Sequence, residues 1–503
     1  MIASPRIPVA GRLDPRAVLA LVGAMVVCGG LDAGLMEWIQ IGPPGHKGQL
    51  FFVELVILVA AALVVLATAL LAPEKARVAT PFLFMGLAWH TGFQVQLGSD
   101  KFVLTVFDVL VPITLLMAIV GGWFGTASGA TWFHRHWRLM VIFWLFCLWG
   151  VCVALYRGVD PSPLISNLKS LVIYPLILIL LPLCIRSWKQ LYLATGFMLA
   201  LITERALDGL RQAATHATTA FATRLNGGQL ITRIDGDMAA TNQYATYLLT
   251  GFLIMMALVG ASKLRARHRM LMTIPLGCVG LALLLTYSRG AWLGTGMATV
   301  ALIFILRPKR GAAVLATTLL FVLLLQVVYP QADKRFVARA TQYDYSIAQR
   351  ESYQATGFDV VLRYPLGAGW GAWFQRTASG IQPVPGYPWY HDDYLQLATE
   401  IGIPGLLSIV AVLVSLLLLG LRASRAALSP TKTALLAGLT AAFFGMLVQT
   451  GTDQFLWHAD IAPHIWIVGG LIASGAMLVG VDAAELRGRR RFAPVPPEPA
   501  PAI

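Results

Sequence analysis

The stretch HDDYLQLATEIGIPGLLSIVAVLVSLLLLG, residues 391–420, opens with one histidine and two aspartates and continues without a break into apolar sequence. The part from residue 395 onward is long enough to cross a bilayer core of about 30 Å as a helix. Apolar runs of similar length recur along the whole chain. Because every backbone amide in lipid must be satisfied within its own segment, the pattern predicts an all-α, polytopic transmembrane helical bundle.

The composition is that of an integral membrane protein. Of the 503 residues, 57% are hydrophobic and 12% are charged, and the mean hydropathy is +0.71. In soluble domains charged residues make up about a quarter of the chain. The five cysteines all fall in apolar runs and form no CxxC pair, so we expect neither a disulfide framework nor a zinc site. The first apolar run is too long for a cleavable signal and is expected to be a span.

The apolar runs predict about 12–14 membrane spans, with a large extracytoplasmic loop before the last three. The spans are expected near residues 17–37, 50–72, 79–97, 102–120, 139–155, 169–185, 190–207, 239–260, 270–286, 289–306, 312–330, 395–420, 432–450 and 461–480. The expected domains are a bundle at 1–330 that includes an outer loop at 208–238, a loop domain at 331–394, the remaining bundle at 395–481, and a basic, Pro-rich tail at 482–503.

The net charge of +14 is explained mostly by this topology. Alternate connections carry clusters of Lys and Arg, such as PEKAR at 73–77, HRHWR at 134–138 and RPKR at 307–310. By the positive-inside rule these connections face the cytoplasm, which places both termini there. The net positive charge therefore does not indicate nucleic-acid binding, and the lipid bilayer is the first expected partner.

The opposite, extracytoplasmic face is also rich in arginine. Its two long connections contain Arg211, Arg224, Arg233, Lys334, Arg335, Arg339, Arg350, Arg363 and Arg376. On one interpretation these are ordinary surface residues, because long loops are translocated regardless of charge. On the other, a subset converges on an anionic ligand, because guanidinium groups match phosphate oxygens in pairs. Arg289 is the best candidate, since the tight turn TYSRGAW holds it close to the bundle.

Two polar residues near the starts of predicted spans are also singled out. Asn242 follows Arg233 closely and either caps its helix or holds a ligand hydroxyl. Asp108 lies inside the fourth predicted span, where an unpaired carboxylate is costly. We expect it to face the bundle interior and to form a structural ion pair with an arginine.

His391 lies at the extracytoplasmic tip of its predicted helix and shares one face with Tyr394. Asp392 and Asp393 in the first turn are favoured by the helix dipole, which we prefer to a metal site because no third ligand is evident. A histidine alone is more often structural. A histidine that can exchange a proton near neutral pH, beside arginines at the same level, is typical of a base next to a phosphate-bearing leaving group.

Four motifs in this region resemble those of one family. His391 and Asp392 are followed after nine residues by Gly402 and then Gly405, as in the histidine motif of the bacterial O-antigen ligase and polymerase superfamily. The segments LLLTYSRGAWLG at 283–294, RESYQATGFDVVLRYPLGAGWGAWF at 350–374 and TNQYA at 241–245 are also similar to family members. The resemblance covers roughly 230–410. Asp392 departs from it, since Asn, Ser or Gln is commoner there.

The resemblance implies a multi-pass glycosyltransferase of C-type architecture in the bacterial inner membrane. The donor would be a glycan on undecaprenyl pyrophosphate, and the acceptor would be a glycan hydroxyl. His391 would deprotonate or orient that hydroxyl, and Arg289 with Arg350 would hold the pyrophosphate. Because an anionic leaving group needs charge stabilisation rather than protonation, neither metal nor other cofactor is expected, and in-line attack would invert the anomeric centre. Further candidate substrate contacts are Arg233, Arg211, Asn242, Tyr394 and Asp392.

Several functions fit this pattern. The chain could polymerise O-antigen or exopolysaccharide repeat units, which we favour on family analogy, with a chain-length regulator as a further partner. It could ligate a finished glycan to lipid A core, or glycosylate a protein. The rival from another class is a polysaccharide transporter or flippase. Transporters carry their polar sites near the bilayer midplane, whereas here the polar residues gather at one face.

Overall fold

The computed structural model describes residues 73–87, 93–97, 100–104, 106–126, 132–156, 169–215, 222–224, 230–236, 240–306, 308–328, 345–370, 390–456 and 461–491. The spans predicted at 17–37 and 50–72 lie outside these residues. So do Lys334, Arg335, Arg339 and Arg376, and the part of the predicted tail beyond residue 491.

The described part of the chain is mostly helical. Its helices are α1 (Pro73–Leu87), α2 (Val106–Val120), α3 (Trp132–Tyr156), α4 (Ile177–Cys184), α5 (Trp188–Thr215), α6 (Thr241–Ala261), α7 (Ala266–Leu285), α8 (Arg289–Ile305), α9 (Pro308–Val328), α10 (Tyr345–Arg363), α11 (Asp393–Ala426), α12 (Pro430–Thr450) and α13 (Ala462–Arg491). Two short antiparallel hairpins accompany them, β1 (Phe93–Leu97) with β2 (Asp100–Leu104) and β3 (Ala222–Arg224) with β4 (Leu230–Thr232).

The predicted all-α transmembrane bundle is confirmed. Within the described residues, six helical segments are long and apolar enough to span a membrane: Trp137–Tyr156, Thr241–Ala261, Ala266–Leu285, Asp393–Ala426, Pro430–Thr450 and Ala462–Asp482. Shorter apolar helices cover Leu110–Val120, Lys169–Cys184 and Arg289–Ile305. The chain is therefore a multi-pass membrane protein whose backbone groups are satisfied inside helices.

Two predicted boundaries are wrong. The span expected at 79–97 ends as a helix at Leu87, and 93–97 pairs as a strand with 100–104. The alternation of FQVQL has a period of two, which suits a strand, and the prediction overlooked it in favour of overall hydrophobicity. Helix α5 continues to Thr215, so the outer loop expected from residue 208 begins as helix.

Asp108 forms its predicted ion pair with a different partner. Lys169 Nζ lies 2.6 Å from Asp108 Oδ2, and the Tyr174 hydroxyl donates to Oδ1 at 3.2 Å. Both charged side chains are largely buried. The cation is therefore a lysine rather than the expected arginine, and it comes from the start of the apolar helix at Lys169–Cys184.

Helices α6 and α12 form the centre of the bundle and are almost entirely buried. Small residues let their neighbours approach closely. A Cβ at Gly294 on α8 would lie 2.6 Å from the carbonyl oxygen of Gly445 on α12. This tight crossing brings the start of α8 beside the end of α12, where the candidate site lies.

Helix α11 is broken at Gly402, whose φ of 77° and ψ of 171° are not helical. The break leaves backbone carbonyls without helical partners, and residues 364–370, which we call the strap, supply the missing donors. The backbone N–H of Ala368 donates to the backbone carbonyl of Thr399 at 2.7 Å, and that of Gly369 donates to the backbone carbonyl of Glu400 at 3.0 Å. This close approach explains Gly367 of the PLGAG turn and Gly402 of the histidine motif, because a Cβ on either would meet the backbone of the other segment.

Candidate functional site

One end of the bundle, which we call the site end, gathers the starts of α6, α8 and α11 and the turn that follows α12. Gly290 on α8 packs against Thr452 in that turn. The Tyr394 hydroxyl donates to the carbonyl of Leu447 at 2.8 Å, which ties the start of α11 to α12. Four separate parts of the chain therefore meet within a few side-chain lengths.

Asp453, in the turn after α12, is the centre of a hydrogen-bond network. Its Oδ1 lies 3.0 Å from His391 Nδ1 and also accepts from the backbone N–H of Gln454 at 2.9 Å. Its Oδ2 accepts a bond from Asn242 Nδ2 and lies 3.7 Å from Arg350 Nη2. A histidine and an arginine, both predicted as site residues, thus share one carboxylate.

The carboxyl group of Asp453 is held in its charged form. Burial of its side chain would raise its pKa, but the hydrogen bond from His391 and the charge of Arg350 outweigh burial and hold that pKa well below its usual range. An ionised carboxylate can only accept hydrogen bonds, so His391 must donate from Nδ1. In the neutral side chain the single ring proton is then on Nδ1, so the other ring nitrogen, Nε2, has a lone pair and can act as a base.

Asn242 is oriented by its neighbours on both sides. Arg233 Nη2 donates to Asn242 Oδ1 at 2.8 Å while Arg233 Nε donates to the carbonyl of Thr286 at 2.8 Å. Gln449 Nε2 donates to the backbone carbonyl of Asn242 at 3.1 Å. The capping interpretation of Asn242 does not hold, because Ala240 is the N-cap of α6 and the Asn242 side chain faces Arg233 and Asp453.

Two residues that precede site helices have strained backbones. Tyr287 has a φ of 49° and His391 a φ of 54°, in the left-handed region that favours glycine. Tyr287 leads into α8, whose first residue is Arg289, and His391 leads into α11. Strain of this kind persists only where surrounding contacts enforce it, and it concentrates at functional sites.

The two aspartates that follow His391 anchor the motif. Asp392 is the N-cap of α11, where its Oδ1 accepts from the backbone N–H of Tyr394 at 2.9 Å and of Leu395 at 3.1 Å. Burial raises the pKa of Asp392, and these two bonds oppose the rise. Asp393 is fully buried, and its Oδ2 accepts from the backbone N–H groups of Phe455 and Leu456 at 2.7 and 2.8 Å. Asp392 therefore caps α11, and Asp393 clamps the start of this helix to the turn that carries Asp453.

Helix α10, which lies within the predicted loop domain at 331–394, packs over the site. Arg350 Nη1 donates to the carbonyl of Thr452 at 2.9 Å, and Arg350 retains 34% exposure of its side chain. The Tyr353 ring stacks on His391 with centroids 6.4 Å apart and an interplanar angle of 23°. The predicted site residue Arg350 is thus brought to His391, together with an aromatic ring that the sequence interpretation missed.

Arg211 stands apart from this network. Its Nε and Nη2 bind Asp208 Oδ1 at 3.0 and 2.8 Å, one turn away on α5, and its side chain is 69% exposed. Of the predicted residues, His391, Arg350, Asn242 and Arg233 belong to the network around Asp453, and Arg289 begins the helix packed beside it.

The central residue of the network was missed by the sequence interpretation. Asp453 lies in the polar segment QTGTDQ at 449–454, directly after the span predicted at 432–450. The predicted topology puts this segment on the same face as His391 and Arg289. A carboxylate at that level, between two spans, was the signal that could have identified it.

Comparison with known proteins adds one match. Residues 274–410 match the profile of the family described as O-antigen ligase, and this segment contains α8, α10, the strap and the histidine motif. A comparison with curated protein sequences returned no match. Over residues 274–410 the chain is therefore similar to the O-antigen ligase family, which supports the resemblance carried by its motifs.

Proposed function

We propose that the chain transfers a glycan from an undecaprenyl-pyrophosphate carrier to an acceptor sugar hydroxyl, at the extracytoplasmic face of the inner membrane. The observation that carries the proposal is the contact between His391 and Asp453 at 3.0 Å, with Arg350 on the same carboxylate. A base fixed beside a cationic side chain, at one end of an apolar bundle, suits a lipid-linked anionic donor.

The proposed reaction begins at the acceptor hydroxyl. His391 Nε2 takes the hydroxyl proton while the oxygen forms a bond to the anomeric carbon of the donor sugar. The bond between that carbon and the phosphate oxygen breaks, and its electron pair leaves with the undecaprenyl pyrophosphate. Attack and departure on opposite faces of the sugar invert the anomeric centre.

Asp453 acts as a positioning residue in this scheme. Its ionised carboxylate accepts a hydrogen bond from Nδ1–H of His391, fixes the ring orientation and stabilises the imidazolium that forms as the acceptor loses its proton. Asn242 and Arg233 support it from the other side, because the arginine orients the amide that donates to Asp453 Oδ2.

The pyrophosphate needs positive charge, which Arg289 and Arg350 supply in this proposal. Arg350 is partly exposed beside the catalytic histidine, and Arg289 opens α8 next to the turn that contains Thr452. Arginine forks bind phosphate oxygens in pairs and stabilise the charge that develops on the leaving group without a metal ion. Arg211 and Tyr394 remain candidate contacts for the glycan.

Among the reactions open to this site, we favour polymerisation of O-antigen or exopolysaccharide repeat units, with a second lipid-linked glycan as acceptor and a chain-length regulator as partner. Ligation to lipid A core, or to a protein, uses the same chemistry with another acceptor. A flippase is a weaker proposal, because the described polar network lies at one end of the bundle and not at mid-span.

The test is glycan transfer by purified protein in nanodiscs, supplied with lipid-pyrophosphate-linked repeat units with and without a separate acceptor. The variants are His391→Ala and Arg289→Ala. The matched control is Arg267→Ala, an exposed arginine at the N-terminal end of α7, whereas the C-terminal end of this helix leads to the site. We expect both site variants to lose product while the control retains it. A ladder formed without added acceptor identifies a polymerase, and product that requires lipid A core identifies a ligase. Full activity in both site variants would reject the proposal.

A further inference from the structure

Helix α10 has two faces of different character. On one face Tyr353 and Val360 are buried, and Gly357 lies against Leu395 of α11. On the opposite face Phe358 is 60% exposed and Leu362 is 79% exposed. A soluble surface helix would present polar residues there, so this second face requires a partner that is itself apolar.

The exposed apolar face continues into the strap. Phe358 and Leu362 are four residues apart and therefore lie above one another on the helix. Leu366, which is 59% exposed, follows at the same spacing just after the helix ends. One flank of the face carries the exposed Asp359 and Arg363, so the apolar strip has a polar border, as in helices that lie along a membrane surface.

The strap fixes the depth of Leu366 relative to the membrane spans. Trp149 Nε1 of α3 donates to the carbonyl of Leu366 at 2.7 Å. Trp149 belongs to the candidate span Trp137–Tyr156. It lies about 10 Å from the end of this span at Tyr156, because a helix rises about 1.5 Å per residue. Because the span covers a hydrocarbon core of about 30 Å, Leu366 lies at the level of acyl chains.

The neighbouring spans present lipid-facing side chains at this same level. Leu148 and Trp149 on α3 are exposed, and so are Ile403 and Leu407 on α11. Ile403 is joined to the strap, since its backbone N–H donates to the Pro365 carbonyl at 2.9 Å. The apolar surface of two spans therefore extends across Leu366 onto α10.

We propose that the C-terminal half of α10, together with the strap, is seated in the lipid bilayer at the site end, with Phe358, Leu362 and Leu366 among the acyl chains. The partner of this surface is the leaflet itself. The exposed Glu351 lies in the N-terminal half of α10, away from the strap, so the helix is tilted with this half toward water. The segment predicted as a loop domain is accordingly a membrane-seated element at this point.

The test uses a fluorescent reporter on single cysteines in nanodiscs. The five native cysteines are replaced, and cysteine is introduced as Phe358→Cys, Leu362→Cys or Leu366→Cys and labelled with an environment-sensitive nitrobenzoxadiazole group. Leu407→Cys serves as the control in a span, and Ser352→Cys, exposed in the N-terminal half of α10, serves as the control in water. Each label is then exposed to lipids with a nitroxide on the acyl chain and to aqueous iodide.

We expect the labels at 358, 362 and 366 to behave as the label at 407 does, with blue-shifted emission and several-fold stronger quenching by the nitroxide lipid than by iodide. The label at 352 should show the reverse. Iodide quenching at 358 and 362 equal to that at 352 would overturn the proposal. So would shielding from both quenchers, which would indicate a second copy of the chain or another protein on this face. The outcome does not depend on glycan transfer.

Discussion

His391 Nδ1 lies 3.0 Å from Asp453 Oδ1, although the two residues are 62 positions apart in the chain. The pair joins the start of α11 to the turn after α12, and it sets the proton arrangement of the histidine.

Replacement of the carboxylate should reduce catalysis far more than it reduces folding. For Asp453→Asn we expect transfer to fall by about 10²–10⁴-fold, because the amide no longer holds the histidine in the correct tautomer or stabilises its protonated form. The measurement is the kcat for glycan transfer together with elution of the variant as a folded species. Asp359→Asn, an exposed carboxylate on α10, is the matched control. Unchanged kcat in Asp453→Asn would contradict the assigned role.

Asp453 should also give the protein a defined dependence of stability on pH. Its folded-state pKa is lowered from an ordinary value of 3.8, so its contribution to stability is fully present above about pH 4 and is lost as pH falls through the lowered pKa. We expect the difference in melting temperature between wild type and Asp453→Asn to be constant from pH 5 to about pH 8. Below about pH 4 the difference should shrink. A difference that changes between pH 5 and 7 would show that another group dominates.

The break in α11 should not tolerate a side chain. Gly402 has a φ of 77°, and a Cβ there would meet the backbone of Leu366 and Gly367. We expect Gly402→Ala to cost about 1–3 kcal/mol in backbone strain alone and to abolish transfer by displacing the strap. Gly277→Ala on α7, where a Cβ meets open space, is the control and should retain activity. Thermal unfolding in detergent distinguishes the two, and equal melting temperatures would contradict this account.

The ion pair between Lys169 and Asp108 should be important for stability and not for chemistry. Removal of one partner leaves a charge that is buried and uncompensated, so we expect Lys169→Met to cost about 3–5 kcal/mol. The double variant with Asp108→Asn should be less destabilised than the sum of the single changes. Unfolding free energies in mixed micelles test this cycle. Additive effects would mean that the 2.6 Å contact contributes no coupling.

Much of the architecture could be predicted because it depends on local composition. The spans now seen as α6, α8 and α12 were placed within a few residues, since each is an apolar run with polar limits. The hairpin at β1 and β2 was missed because an apolar strand and an apolar span differ in periodicity more than in composition.

The candidate site could be predicted only in part, for a different reason. His391, Arg289 and Arg350 lie in motifs that are recognisable along the chain. Asp453 lies in a short connection with no such motif, and only the packing of α11 against α12 brings it to the histidine. The partner of Asp108 also depended on packing, which selected a lysine where arginine was expected.

The strap has a consequence for the order in which the protein is made. The N–H groups that bind the open carbonyls of Thr399 and Glu400 belong to residues synthesised before α11, so donors are already present when the broken helix enters the membrane. Asp453, by contrast, is synthesised after His391 and Arg350. A nascent chain that has released α11 but not the turn after α12 therefore contains the donors for the break in α11 but not the carboxylate that His391 contacts in the complete chain. The contact between His391 and Asp453 can form only after residue 453 has been synthesised and the turn has docked.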